Sequence, residues 1–280
     1  DEAIAIPDNI PTLSIVRADG SDDFGIGRAG MGYRDLIPDR WGGRFIASHI
    51  LIAEGGEVTD YVHFHRIRFQ MIFVAAGWVD VVYEDQGQPF RMHAGDCVLQ
   101  PPEIRHRVLR SSPGLEVIEI GCPAQHDTLV EHHIGLTTSR VDPDRDFGGQ
   151  RFVRHVAANW SIGDSASARD DFVHRDTGIA GATAGLADAQ VLTMPTVEAE
   201  SAPTLTHQGE FALAVVLNGS AQVTVEFGPD VRVAELAPRD AIAFPAGSNW
   251  AWADRSADFE ILQVTLPAQS IETTEVEDAG

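Results

Sequence analysis

The sequence predicts an all-β protein built from two tandem barrels or sandwiches. Short segments rich in Val, Ile and Phe alternate with Gly, Pro and Asp along the chain, which is typical of consecutive β-strands. The same order of segments occurs twice, which indicates an internal repeat. A chain of 280 residues is long enough for two domains of ordinary size. No long helical stripe competes with the strand pattern.

The predicted strands follow one another in the same order in both copies. The displacement between matched segments stays between 141 and 144 positions, so only short loop insertions distinguish the copies. The predicted strands are residues 44–51, 71–74, 78–83, 97–100 and 105–109 in the first copy, and 186–192 and 211–217 in the second. The matched segments are residues 33–37 with 174–178, 76–79 with 218–221, 115–118 with 259–262, and Asp96 and Pro101 with Asp240 and Pro245.

The repeat divides the chain into three predicted parts. Residues 1–135 form the first domain and residues 171–280 form the second. Residues 136–170 mix Asp, Arg, Gly and Ser with few apolar side chains, so we expect them to link the two domains. The acidic segment after Pro267 is expected to be mobile.

The composition narrows the classes of partner. The chain has 42 Asp and Glu against 20 Lys and Arg, and its net charge of −22 repels nucleic acids and anionic membrane surfaces. No apolar run approaches the roughly 20 residues that span a bilayer, so no membrane partner is expected. Cys97 and Cys122 are too few for a disulfide framework, and the chain begins without a signal-like apolar segment. We therefore expect a cytoplasmic protein.

Histidines cluster in the first copy. His63 and His65 stand two residues apart, a spacing that places both imidazoles on one face of a strand. Gln70 and His106 follow at the start of later predicted strands. Together with intervening glycines and a proline, these residues resemble the two sequence motifs of the cupin superfamily. The matching positions are Gly56, His63, His65, Gln70, Gly77, Gly95, Asp96, Pro101 and His106.

The resemblance covers most of residues 43–122 and implies a bicupin, in which each copy is a double-stranded β-helix barrel of the jelly-roll type. It implies that His63, His65 and His106 bind one divalent transition metal ion, with Gln70 in the position where cupins usually have Glu. Neutral imidazoles suit iron, nickel, zinc and copper; iron is favoured, and manganese is a further possibility. Glu103 stands where cupins often have Gly, so the turn before His106 departs from the pattern.

A ligand set of three imidazoles and one amide carries no negative charge. The full charge of the cation would then be uncompensated, which favours an anionic small-molecule substrate that chelates the metal. An enolate, a diketonate, a catecholate or a hydroxy acid fits this requirement.

The second copy keeps the fold signals but loses the ligands. It is therefore expected to be a degenerate, metal-free cupin domain, which leaves an apolar pocket or a role in a homodimer open. The replacements are Leu205 for His63, His207 for His65, Ala212 for Gln70 and Trp250 for His106.

Three functions remain open from the sequence. The first is a metal-dependent oxidoreductase, namely a non-heme iron dioxygenase acting on a small enolisable or catecholic substrate. The second is a metal-assisted isomerase, lyase or decarboxylase of a sugar acid or hydroxy acid. The third is a cupin that binds a small molecule without turning it over.

Other polar residues near the motifs have two interpretations each. His49 lies on an alternating face within residues 45–51, so it either points inward and supports the metal site from behind or is a hydrogen-bonded core residue, and the second interpretation is favoured. Tyr61 and Arg68 either orient a substrate or remain solvated. Surface positions are expected for His93, His132 and His133, and a buried one for Cys97.

Overall fold

The computed structural model describes residues 4–18, 24–26, 31–160, 172–194 and 203–274. These residues are predominantly β-strand with two short helical segments, so the all-β prediction is confirmed. Contacts divide the chain into two compact units. The first unit is Asp1–Ile10, Asp22–Asn159 and Ala182–Ala184, and the second is Pro11–Ser21, Trp160–Gly181 and Gly185–Gly280.

The elements are numbered in chain order. Up to residue 160 they are β1 (Ser14–Val16), β2 (Gly25–Ile26), β3 (Gly32–Asp35), α1 (Arg40–Gly43), β4 (Ile46–Ile52), β5 (Gly56–Glu57), β6 (His63–Arg66), β7 (Phe69–Ala76), β8 (Trp78–Tyr83), β9 (Phe90–His93), β10 (Cys97–Leu99), β11 (His106–Ser111), β12 (Leu115–Cys122), β13 (Asp127–Val130), β14 (Val153–His155) and a 3-10 turn (Ala157–Asn159). Beyond it they are β15 (Val173–Asp176), α2 (Ile179–Ala182), β16 (Asp188–Thr193), β17 (Thr204–His207), β18 (Phe211–Asn218), β19 (Ala221–Phe227), β20 (Asp230–Leu236), β21 (Ala241–Phe244), β22 (Asn249–Ala253), β23 (Glu260–Leu266) and β24 (Ile271–Thr274).

The first unit consists of two antiparallel sheets around one apolar core. The larger sheet has the order β14-β10-β7-β12-β4-β3-β2, and the smaller has the order β13-β6-β11-β8-β9, with β5 added to β11. Alternation along each strand directs every second side chain inward. Both sheets contribute to the core, which includes Ile50, Val74, Val81, Met92 and Val117.

The second unit repeats this arrangement. Its larger sheet has the order β1-β21-β18-β23-β16-β15, and its smaller sheet has the order β20-β19-β22-β17-β24. Aromatic rings fill much of its core, among them Phe244, Trp250, Trp252 and Phe259. In the described residues none of the four sheets closes on itself.

Strand pairing supports the alignment of the two copies. In the first unit, β6 pairs with β11 so that His63 lies opposite His106. In the second unit, β17 pairs with β22 so that Leu205 lies opposite Trp250. The residues matched by sequence therefore occupy the same place in the two strand orders.

Two segments contribute strands that their composition did not indicate. Within residues 136–160, β14 pairs with β10, and Phe147 joins the core of the first unit. Residues 161–170 of the predicted linker lie outside the described residues. The expectation of a mobile segment after Pro267 is wrong for β24, which pairs with β17; residues 275–280 are not described. Among the residues described, no helix has the length and apolar character needed to cross a membrane.

Candidate metal centre

Three histidines converge inside the first unit. Strand β6 supplies His63 and His65 on one face, and β11 brings His106 directly opposite His63. One ligand atom of each side chain lies within 4.8 Å of the others, and this is the metal-ligand cluster found among the described residues. The imidazole centroids of His63 and His106 are 4.2 Å apart, and each is 5.2 Å from that of His65. The structure therefore brings together the three histidines that the sequence singled out.

Hydrogen bonds orient each imidazole. Metal-binding histidines usually engage their second ring nitrogen with a hydrogen-bond partner, and here that nitrogen is Nδ1 in all three rings. Because a carbonyl only accepts, Nδ1 donates in two of them, and Nε2 is the ring nitrogen that could hold a metal. The contacts are His63 Nδ1 to the Tyr61 carbonyl at 2.8 Å, His106 Nδ1 to the Ile104 carbonyl at 3.0 Å, and His65 Nδ1 to the Thr128 hydroxyl at 3.0 Å.

A carboxylate lies behind one of these rings. Asp60 Oδ1 is 3.7 Å from His63 Nδ1, on the ring edge opposite Nε2. The other oxygen of Asp60 accepts a hydrogen bond from the Val108 amide, which holds the carboxylate in place. The donor set and its supports fit a divalent transition metal bound by neutral imidazoles.

Gln70 lies on β7 and lines the same cavity as the histidines. Its side chain is 1% exposed. Gln70 Nε2 donates to Glu119 Oε1 on β12 at 2.6 Å, and Gln70 Oε1 accepts from Gln100 Nε2 at 3.1 Å. A carboxylate can only accept, so the amide nitrogen of Gln70 faces Glu119 and the amide oxygen faces Gln100.

Gln100 connects this amide to the histidines. Its Nε2 lies 3.4 Å from His106 Nε2, and its Oε1 accepts a hydrogen bond of 2.6 Å from the Tyr83 hydroxyl. Burial raises the pKa of the Tyr83 hydroxyl far above its ordinary value, and the charge of Glu119 raises it further. Tyr83 is therefore a hydrogen-bond donor at any physiological pH, and it directs the Gln100 amide nitrogen toward Gln70 and His106.

The cavity around these groups has a volume of about 400 Å³. Apart from the polar cluster, its wall is apolar and comes from both sheets of the first unit. Arg107 is the one Lys or Arg side chain among the described residues that line it, and this residue is exposed. The apolar wall includes Met31, Ile50, Ile72, Val81, Met92 and Val117.

Several polar residues of this site were not identified from the sequence, among them Tyr83, Gln100, Glu119 and His126. The His126 ring lies 5.2 Å from that of His65, and its Nδ1 contacts the Pro123 carbonyl at 3.1 Å. Glu119 could have been noticed, since it interrupts an otherwise apolar alternation on the inward face of β12. The others carry no local signal, because their approach to the site depends on pairing between distant strands.

No protein-family model and no curated protein matches the chain by sequence. Solved structures do. A variant of salicylate 1,2-dioxygenase from Pseudoaminobacter salicylatoxidans, in complex with gentisate, superposes with a TM-score of 0.65 at 14% identity, over 97% of this chain and 88% of that one. The E. coli protein Ylba superposes with a TM-score of 0.66 at 12% identity, over 94% of both chains. Oxalate decarboxylase from Lactobacillus farciminis superposes with a TM-score of 0.60 at 13% identity, over 96% of this chain and 90% of that one.

These structures are cupin-fold proteins. This chain has the cupin fold. Identities of this size establish the fold and leave the reaction open.

The turn before His106 departs from the sequence motif that the chain resembles. Glu103, which stands where Gly is frequent, has φ of 61°, in the left-handed region that a side chain rarely adopts. Its backbone N–H donates to the His65 carbonyl at 3.0 Å, and its carboxylate pairs with Arg66 at 3.3 Å. The turn keeps the left-handed conformation, and these contacts offset the strain.

The other candidates lie outside the cavity. Of the two interpretations of His49, the structure supports the hydrogen-bonded core residue, because its neighbours Ile50 and Ile52 line the cavity instead. His49 binds Glu116 at 3.0 Å and Arg34 at 3.1 Å, as a hydrogen-bonded buried residue. Tyr61 is 60% exposed, and Arg68 contacts the Cys122 sulfur. His93, His132 and His133 are exposed and Cys97 is buried, as predicted.

In the second unit, the place that corresponds to the histidines is filled by apolar side chains. Leu205, Ala212 and Trp250 are buried in its core, and the Trp250 ring stacks on Phe244 at 4.2 Å. His207 is buried as well; its Nε2 donates to the Phe244 carbonyl at 2.7 Å, and burial lowers its pKa. Packed side chains therefore fill this part of the interior of the second unit.

Proposed function

We propose that this protein is a two-barrel cupin metalloenzyme with one metal centre. Residues 1–135 form the metal-binding domain, with His63, His65, Gln70 and His106 as the ligands of one divalent ion, and residues 171–280 form a metal-free domain. The observation that carries the proposal is the convergence of three oriented imidazoles in a cavity of about 400 Å³. Buried polar groups destabilise a core unless they are paired, and the second unit has apolar side chains at the corresponding positions. A metal-binding role accounts for the polar groups in the first unit.

The reaction we assign is dioxygen-dependent cleavage of a small enolisable or catecholic substrate, with iron as the metal. Iron held by His63, His65, Gln70 and His106 would supply the redox chemistry of dioxygen addition. The apolar wall, which includes Ile72 and Val81, packs against the body of the substrate and excludes water. The structural likeness to a salicylate 1,2-dioxygenase in complex with gentisate supports this choice of substrate class.

The test is oxygen consumption by protein loaded anaerobically with Fe(II). A panel of catechols, gentisate and β-diketones is expected to include substrates that draw oxygen in a metal-dependent manner. His63→Ala removes a ligand and is expected to abolish uptake, whereas His93→Ala changes an exposed histidine and serves as the matched control. Uptake that persists in His63→Ala would disprove the assignment of the site.

A decarboxylase is the second candidate, favoured by the likeness to oxalate decarboxylases, one of which is described with Mn(II) centres. The charged residues of the cavity wall disfavour the decarboxylation of a dicarboxylate. Glu119 lies in the wall, and the exposed Arg107 is the one Lys or Arg that lines it in the part of the chain described. Apart from the metal ion itself, the described wall therefore offers only Arg107 to compensate the two charges of a dicarboxylate beside Glu119. Carbon dioxide release from oxalate without net oxygen uptake would decide for this candidate.

A further inference from the structure

We propose that Glu119 is a positioning residue of the metal centre, which orients and polarises Gln70 and supplies the negative charge that three imidazoles and an amide lack. This inference rests on the metal site proposed above and adds a residue to it. Glu119 lies outside the three-histidine cluster, so its action on the metal runs through Gln70.

The orientation of Gln70 follows from its two neighbours. Glu119 Oε1 accepts from Gln70 Nε2 at 2.6 Å, a short distance for a charge-assisted hydrogen bond. Gln100 offers an amide nitrogen to Gln70 Oε1, and Gln100 is itself fixed by the Tyr83 hydroxyl. A reversed Gln70 would bring its oxygen against the Glu119 carboxylate and its nitrogen against that of Gln100, so one orientation is strongly favoured. That orientation directs the oxygen, the atom of an amide that binds metals, toward Gln100 Nε2, which lies 3.4 Å from His106 Nε2.

The charge of Glu119 also changes the amide. A carboxylate at the nitrogen of an amide shifts electron density toward its oxygen, which makes the oxygen a better donor to a cation. Low surrounding polarity strengthens this effect, since the pair lies in a largely apolar cavity. Asp60 does not line this cavity and contacts His63 Nδ1, so Glu119 is the carboxylate that contacts the Gln70 amide.

The second unit provides an internal comparison. Strand pairing places Glu119 opposite Ile72, and Gln263 opposite Ala214, so Gln263 occupies the place of Glu119. By the same registers the unit without the histidines has also lost the other polar members of the network. The replacements are Ala212 for Gln70, Phe244 for Gln100 and Val225 for Tyr83. The fold persists without this network, which ties the network to the histidines and not to the stability of the barrel.

The experiment measures the affinity of the whole protein for Mn(II) and Zn(II) by competition with a chromogenic chelator. Glu119→Gln removes the charge and gives the Gln70 amide a partner that can take either orientation. We expect its affinity to fall about 10- to 100-fold, the usual effect of losing a group that supports a metal ligand. Glu116→Gln, on the opposite face of the same strand, is the matched control and is expected to leave the affinity unchanged.

The decisive variant is the exchange Gln70→Glu with Glu119→Gln, which moves the carboxylate to position 70 and keeps the net charge. It is expected to recover the affinity lost in Glu119→Gln, whereas a general loss of folding would not be reversed by a second substitution. If Glu119→Gln fails to fold, Glu119→Asp takes its place in the test. It retains the charge but shortens the side chain, so its metal affinity is expected to be intermediate.

The outcomes separate the two proposals. Wild-type protein that binds neither ion would overturn the metal site and this inference with it. Wild-type protein that binds metal, with Glu119→Gln or Glu119→Asp equal to it, would overturn the role of Glu119 and leave the site standing. Failure of the exchange to exceed Glu119→Gln alone would likewise contradict the role of charge.

Discussion

Trp250→Ala tests whether the interior of the second unit is a packed core. The Trp250 ring is 2% exposed and stacks on Phe244 with an interplanar angle of 22°. Truncation of a buried Trp to Ala usually costs about 3–5 kcal/mol in the free energy of unfolding, through lost contacts and the cavity left behind. Trp250 Nε1 has no hydrogen-bond partner, and an unsatisfied buried N–H already penalises the native state by about 1–3 kcal/mol. We therefore expect a loss near the lower end, about 3 kcal/mol.

The assay is urea unfolding followed by tryptophan fluorescence and circular dichroism, with metal content measured on the same samples. Trp250→Phe is the matched control: it keeps a ring against Phe244 and removes the unsatisfied N–H, so its loss should be about 1 kcal/mol or less. Both variants should retain the full metal content of the wild type, because the histidines belong to the first unit.

Two results would refute this reasoning. A loss below about 1 kcal/mol in Trp250→Ala would mean that the ring contributes little packing. Altered small-molecule binding without destabilisation would mean that the ring closes a ligand site. The structure argues against the latter, because the cavity of about 280 Å³ in the second unit is lined by residues 206–210, 267, 270 and 272 and not by Trp250.

Two further predictions concern metal content and pH. The double variant His63→Ala with His106→Ala should lower the metal content from one ion per chain to none, as read by elemental analysis; a stoichiometry near two in the wild type would contradict a single centre. Burial first, and then the charge of Asp176, raise the pKa of Asp188 from 3.8 to about 6. Because the folded-state pKa is the higher one, ionisation of Asp188 destabilises the second unit above about pH 6, by about 3 kcal/mol at neutral pH, and this penalty disappears as the pH falls toward 3.8. The difference in the free energy of unfolding between Asp188→Asn and wild type should therefore change between pH 3.8 and about pH 6. The pH dependence contributed by His207 is present in both proteins and cancels in this difference. A difference that stays constant would refute the raised pKa of Asp188.

The sequence predicted the parts of the fold that carry local signals. Apolar segments bounded by Gly, Pro and Asp predicted seven strands, which correspond to β4, β7, β8, β10 and β11 in the first unit and to β16 and β18 in the second. Strands β1 and β14 have three residues each and no such signal. Each becomes a strand only by pairing with a distant edge, β1 with β21 and β14 with β10, so their positions could not be read from their own composition.

The site also contains residues with a local sequence signal and residues whose direction depends on strand register. His63 and His65 form a pattern within three residues, whereas the inward direction of Glu119 and the outward direction of His49 depend on which residues of β12 and β4 face the core. A shift of one residue in a strand reverses its faces, so such directions require the registers of the folded sheet. The register of β4 therefore decides between the two interpretations of His49, and the register of β12 shows that the break in apolar alternation at Glu119 faces the cavity.

The two units together indicate which residues serve the fold and which serve the chemistry. At equivalent positions, the first unit buries His63, Gln70, Gln100 and His106, and the second buries Leu205, Ala212, Phe244 and Trp250. Burial of polar side chains opposes folding unless each is hydrogen-bonded, while the apolar set stabilises the same architecture without that demand. A chain under selection for stability alone would have no reason to keep the polar set. Its presence in one unit, with hydrogen bonds to most of its polar atoms, supports the proposed metal centre there, and the apolar set in the other unit is consistent with the proposed metal-free domain.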